Sequence, residues 1–298
     1  MGLIEWVFLF SLALLWGTAF AMTVIGLGEL PPFTLAFGRI FVAALTLLAL
    51  IRLFGTRLPR GGEAWRAIIT SAFIGNAIPF SLIAWGQQHI PSSLSGVLMA
   101  TAPLFTLVIA HFSTVDERMT GAKAAALLLG FVAVVVLVGP DALGGVASSV
   151  TGQLALLGAA FCYAGASVYG RRFRTMNLKP LPLAGAQLSA ASVMMVPVVL
   201  ALEQPWLIAM PSITGWLAVM ELGVVATALP YIIYFRVLAV GGATNLMLVT
   251  FMVPVVAVTT GALMLGEMLE VRHFVATGIL ILSLAAIDGR IFKWWRSA

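Results

Sequence analysis

Charge is what this sequence has least of. Asp, Glu, Lys and Arg make up 9% of its 298 residues, and 61% are hydrophobic; a soluble globular domain carries about 25% charged residues. A soluble fold of this length cannot hide so much apolar surface, because surface area per unit mass falls too slowly with size. Lipid therefore has to be the outer solvent. Cysteine is nearly missing too: the single Cys162 excludes an intramolecular disulfide and any CxxC metal or redox motif. The three histidines, His89, His111 and His273, stand far apart without a metal-binding spacing, so neither metal nor cofactor is expected. No nucleotide-binding motif occurs, which excludes direct use of ATP. The net charge of +5 would suit nucleic acid only as a basic face on a soluble domain. Here the basic residues fall in loops, and no nucleic-acid partner is expected.

What the chain does have is long apolar runs. At about 20 residues per crossing, they divide into ten predicted spans: 4–25, 33–51, 65–85, 92–112, 122–138, 153–169, 181–202, 213–235, 243–263 and 274–287. The predicted fold is an all-α membrane protein of ten transmembrane helices. The first run lacks a basic leader and a small-residue cleavage motif, so it reads as a span and not as a signal peptide. With the N-terminus placed in the cytoplasm, fourteen Lys and Arg residues fall on the inner side, only Arg272 falls outside, and Arg39 lies within the second span. This asymmetry predicts that both termini are cytoplasmic.

Two stretches raise a question. "NAIPFSLIAW" starts at Asn76 and "TALPYIIYFR" at Thr227, 151 positions later. The same shift superposes Pro79 on Pro230, Phe80 on Tyr231 and Pro103 on Pro254. Each half, residues 1–140 and 151–298 with an outer linker at 141–150, holds five spans. An odd number requires the second half to enter the membrane upside down, around a central cavity, a recurring plan of secondary transporters. A proline inside a helix removes a backbone donor and frees a carbonyl one turn earlier, and lipid cannot satisfy that carbonyl. Pro79, Pro103, Pro230 and Pro254 are therefore candidate hinges, and their helices are expected to surround a polar centre. Plain kinked packing is the alternative for any one of them.

The segments "LLWGTAFA", "GVLMATAPLFTLVIA", "DERMTGAKAAALLLGFVAVVVL" and "LMLVTFMVPVVAVTTGALMLGEMLEVRHFVATGILILSL", taken in order, resemble the drug/metabolite transporter superfamily, specifically its ten-span EamA-like exporters. The resemblance covers nearly the whole chain. It implies two inverted five-helix repeats around a central cavity in the bacterial inner membrane, with spans 5 and 10 packed outside. It also implies export of aromatic or other neutral amino acids, or related small metabolites, by alternating access. A proton-coupled exporter of cationic drugs is the alternative within the superfamily. An intramembrane enzyme would need a nucleophile and base deep in the bilayer, and no histidine or aspartate lies deep. Oligomeric state is left open between monomer and homodimer.

Ionisable groups within a membrane are costly and are functional candidates by default. Arg39 and Glu221 lie about 9 and 12 Å from the outer ends of their spans at 1.5 Å per residue. They could offer opposite charges to a zwitterion, or form an ion pair that locks span 2 to span 8. Aromatic walls with a few oriented polar groups suit a small amphipathic solute. On that ground Trp16, Asn76, Phe80, Thr101, Tyr163, Gln187, Tyr231 and Thr250 complete the set of candidate substrate-binding residues.

Overall fold

The computed structural model describes residues 3–113, 119–143, 147–234, 236–237, 248–268 and 270–288. Among them there is no strand. The helices are α1 (Leu3–Leu27), α2 (Pro32–Leu53), α3 (Gly62–Gly86), α4 (Ser92–Ser113), α5 (Gly121–Leu143), α6 (Ala147–Gly170), α7 (Pro180–Leu202), α8 (Ile213–Tyr234), α9 (Leu248–Leu265) and α10 (Val271–Asp288). Helix is the expected form, because in hydrocarbon each backbone polar group must be paired within its own segment. Eight of these helices are long and apolar enough to cross a membrane; the apolar stretches of α5 and α10, Lys123–Leu137 and Val271–Ile287, are shorter. The predicted start of the ninth span, at Ala243, lies outside the described residues. Of the predicted linker at 141–150, residues 141–143 belong to α5 and 147–150 to α6, and residues 144–146 lie outside the described residues.

The helices interlock rather than form two separate bundles. Helix α1 packs on α9 and on α8, α2 on α7 and α8, α3 on α6 and α7, α4 on α6 and α9, and α5 on α10. Raising or lowering every label by five turns these pairings into themselves.

Prolines mark the irregular points. Pro79 follows a π-helical stretch at Phe73–Ala77, and Pro230 follows another at Glu221–Ala228. The wider turn relieves the clash between the proline ring and the preceding turn, which is how α3 and α8 tolerate a residue that ordinarily costs about 3 kcal/mol in a helix interior. Before Pro103 the solution differs: α4 is interrupted between Met99 and Ala102, with tightened bonds from the amides of Ala100 and Thr101 to the carbonyls of Val97 and Leu98. Pro254 sits inside α9 without an interruption.

Three helix N-termini are capped by glutamates from other helices. Helix α2 starts after Pro31 and α4 after Pro91, neither of which has a side chain that can cap. The Glu203 carboxylate, beyond the end of α7, accepts from the amides of Phe33 (2.8 Å) and Thr34 (2.5 Å) and from the Thr34 hydroxyl (2.7 Å). Glu267, beyond α9, accepts from the amides of Ser92 (2.7 Å) and Ser93 (2.9 Å). Glu29, beyond α1, accepts from the amide and hydroxyl of Ser212 at the head of α8. A carboxylate at a helix N-terminus pairs orphan amides and meets the positive end of the dipole.

Removing the Glu203 cap should destabilise the protein by about 1 kcal/mol, the ordinary size of an N-cap loss. Glu203→Ala should melt lower than wild type in detergent, with Glu203→Gln in between. An unchanged melting temperature for Glu203→Ala would contradict the role given to this carboxylate. For Glu29, the Ser212 hydroxyl and then the Ser212 amide hold the carboxyl below its ordinary range. A lowered folded-state value means that its contribution is complete above the ordinary carboxylate range and fades as pH falls through the lowered one. The melting-temperature gap between wild type and Glu29→Gln should therefore close on acidification; a gap independent of pH would refute this account.

Candidate functional site

The interior polar centre forms where α2, α3 and α8 meet. Two features of α8 make room for it. The π-helical stretch widens the backbone, and Gly223 lets α2 come close: a Cβ there would lie 2.6 Å from Val42 and 3.1 Å from the Arg39 carbonyl. Arg39 projects from α2 into this region and is 9% exposed. Its Nε donates to the Thr227 hydroxyl at 2.8 Å, and its Nη2 reaches the Ala226 carbonyl at 3.4 Å. Ala226 is four residues before Pro230, so its carbonyl is the one that an amide at position 230 would meet in α-helical register. The Thr227 hydroxyl in turn donates to the Leu222 carbonyl at 2.7 Å.

On the other side, the guanidinium lies over the Phe80 ring, 4.3 Å from its centroid, a cation–π contact that strengthens away from water. Phe80 meets Tyr163 of α6 edge to face at 6.3 Å. Tyr231 donates to Asn76 Oδ1 at 3.3 Å, joining the two copies of the proline motif directly. Tyr163, Glu221 and Tyr231 all lie within electrostatic reach of Arg39. Arg39 and Glu221 form no ion pair among the described residues, however. The guanidinium is held by Thr227 and Ala226, and the buried Oε2 of Glu221 has no hydrogen-bond partner. With five N–H donors on the side chain and two used, Arg39 keeps donors for an anionic group.

The sequence-derived candidates thus divide. Arg39, Asn76, Phe80, Tyr163, Glu221 and Tyr231 come together. Trp16 packs instead beside Tyr234, with ring centroids 6.2 Å apart, in the cluster that α1 forms with the end of α8 and with α9. Thr101 is buried at the break in α4, where its hydroxyl donates to the Leu98 carbonyl at 2.6 Å. Gln187 on α7 donates to the Ser71 hydroxyl of α3 at 2.7 Å, and Thr250 is half-buried on α9. Sequence reasoning missed Thr227 as a site residue, although it aligns with Asn76 in the repeat. It also missed Thr23, whose side chain borders the gap beside Arg39 with Leu35, Phe80 and Leu222. That gap measures about 10 Å³, space for roughly one water molecule, whereas ligand sites measure about 300–1,000 Å³. In this conformation that gap has no room for a solute.

Thr227→Val keeps the side-chain shape but strips Arg39 Nε of its acceptor. An unsatisfied buried donor costs about 1–3 kcal/mol, so the variant should unfold earlier in thermal melts than Thr18→Val, whose hydroxyl only bonds back to its own helix at Leu14 and Leu15. Equal melting temperatures for the two would show that the Arg39–Thr227 bond contributes nothing measurable.

Comparison with known proteins agrees with this architecture. The model of the EamA-like transporter family matches twice, at residues 3–139 and 150–287. The inner membrane transporter YedA of Escherichia coli (strain K12), itself uncharacterized, is 28% identical over 286 residues, covering 94% of this chain and 89% of its own. The transporter YoaV of Bacillus subtilis (strain 168), also uncharacterized, is 26% identical over 88% of this chain and 89% of its own. A probable amino-acid metabolite efflux pump of Escherichia coli (strain K12) is 25% identical over 90% of this chain and 89% of its own. A protein of known crystal structure superposes with a TM-score of 0.69 over 95% of this chain and 97% of its own, at 22% identity, a likeness of fold.

Proposed function

The chain belongs to the EamA-like transporter family, and from that premise we propose that it is a secondary transporter exporting aromatic or neutral amino acids, or related small metabolites, by alternating access. The observation that carries the cargo class is the juxtaposition of Arg39, with unused donors, and the unpartnered carboxylate oxygen of Glu221 across an aromatic wall of Phe80 and Tyr163. A zwitterion matches this arrangement: its carboxylate faces the guanidinium, its ammonium faces the glutamate, and its side chain lies against the rings. The similarity to an amino-acid metabolite efflux pump supports the same class. A single buried arginine is too little positive charge for a nucleotide sugar or phosphate ester.

Alternating access rests on the repeat. The two family-model matches and the five-shifted pairing of helices support an antiparallel relation between residues 1–140 and 151–298. Both termini then lie on the cytoplasmic side of a bacterial inner membrane. Making room beside Arg39 requires bending, and the π-helical stretches before Pro79 and Pro230 and the break before Pro103 are the flexible points. Pro254, aligned with Pro103, is the fourth. The free carboxylate oxygen of Glu221 also favours a second reading, a proton-coupled exporter of cationic drugs.

Counterflow by purified protein in proteoliposomes, with labelled amino acids, nucleotide sugars and cationic drugs, tests the proposal. Saturable exchange of neutral amino acids is expected, and Arg39→Gln and Glu221→Gln, each correctly inserted, should reduce it by about tenfold or more, the size of one lost charge-assisted bond. Amino-acid exchange at wild-type rates by both variants would end the binding role. Saturable uptake confined to nucleotide sugars or to drugs would overturn the cargo class.

A further inference from the structure

A second polar feature lies away from the interior centre, at the C-terminal end of α2. Arg52, Arg57 and Arg60 all line one open cleft of about 560 Å³, floored by Leu48, Ile51 and Leu58. The loop that gathers these arginines is built, not slack. Gly55, with φ of 63°, reverses the chain at the helix end. The Gly55 amide bonds the Arg52 carbonyl at 3.1 Å and the Thr56 amide bonds the Ile51 carbonyl at 2.9 Å, a glycine C-cap of the kind that satisfies orphan carbonyls. Trp65 Nε1 donates to the Pro59 carbonyl at 3.0 Å, holding the return of the loop against the start of α3. The outcome is that two later arginines are turned back toward the one that ends α2.

Among the described residues these cations have no internal partner: the three guanidiniums form no ion pair, Glu63 nearby included. On the same turn two large apolar side chains point outward: Leu53 is 77% exposed and Phe54 64%. A cleft that presents fork-shaped donors above an apolar floor, beside two projecting hydrophobes at a membrane-helix end, matches a molecule that carries a phosphate and hydrocarbon together. Arginine forks suit phosphate oxygens, and basic segments beside a transmembrane helix attract anionic headgroups.

We propose that this cleft binds the phosphodiester headgroup of an anionic phospholipid, with Arg52, Arg57 and Arg60 on the phosphate and Leu53 and Phe54 seated against the acyl chains. The site is independent of the transported cargo and of the interior centre. A soluble phosphate would use the same guanidiniums but would leave the two apolar side chains without a role.

The test is native mass spectrometry of the full chain released from micelles that contain equal amounts of phosphatidylglycerol and phosphatidylcholine, counting the lipids retained. Wild type should retain phosphatidylglycerol preferentially. Each of Arg52→Gln, Arg57→Gln and Arg60→Gln should lower that preference by about fivefold, as expected for one basic residue at the membrane surface, and the triple variant should abolish it. The pair Arg172→Gln with Arg174→Gln, at the end of α6, should leave it unchanged, and millimolar inorganic phosphate should not displace the lipid. Unaltered preference in the single and triple variants would overturn the proposal. So would an equal loss in the α6 pair, which would reveal general surface charge, or displacement by inorganic phosphate, which would reveal a site for soluble anions.

Discussion

A carbonyl that loses its partner inside a bilayer has nowhere to turn but the protein, and the polar centre of this molecule is organised around that constraint. Pro230 cannot donate to the turn before it, α8 opens there into a π-helical stretch, and Arg39 of α2 reaches the Ala226 oxygen of that stretch. The same bond brings a cation into the interior, where Thr227 and the Phe80 ring hold it. Thus the defect in one helix becomes the anchor for a charge on another. The π-helical stretch before Pro79 contains Asn76 and precedes Phe80, and the Tyr231–Asn76 bond ties the two proline motifs together.

At one end of the bundle a second group of interactions works on helix termini. Glu29, Glu203 and Glu267 each cross from the end of one helix to the start of another, joining α1 to α8, α7 to α2 and α9 to α4. Each link pairs a helix of one half of the sequence with a helix of the other half. These links and the interior centre therefore couple the two halves at different depths: carboxylate to amide at the rim, guanidinium to carbonyl within.

Arg39 could be singled out from sequence because charge is sparse within the apolar runs, and Phe80 and Tyr163 because aromatic walls suit a small amphipathic solute. The proline motif could be aligned with its copy, and that alignment already placed Thr227 opposite Asn76. Which of these side chains meet was another matter. Trp16 and Gln187 have the same credentials as Phe80 on paper, yet one packs in the cluster of α1 with the end of α8 and with α9, and the other bonds Ser71 between α7 and α3. Rotation of a helix about its axis decides this, and in an apolar helix the hydrophobic pattern barely specifies a rotation, since lipid and protein neighbours are both apolar. The capping glutamates were illegible for a related reason: a cap from a residue 170 positions away leaves no local signature, unlike a serine or aspartate at the N-cap itself.

By itself the sequence determined that this chain lives in lipid, how many apolar runs it contains, where its prolines interrupt them and that the interruptions recur. Those follow from composition and spacing, which act along the chain. Only the tertiary structure decided that Pro79 and Pro230 are accommodated by π-helical turns while Pro103 breaks its helix, that Arg39 meets a carbonyl and not Glu221, and that glutamates cap helices to which they are not adjacent. Those outcomes depend on which donor reaches which acceptor once helices distant in sequence are packed side by side, and no single helix contains that information.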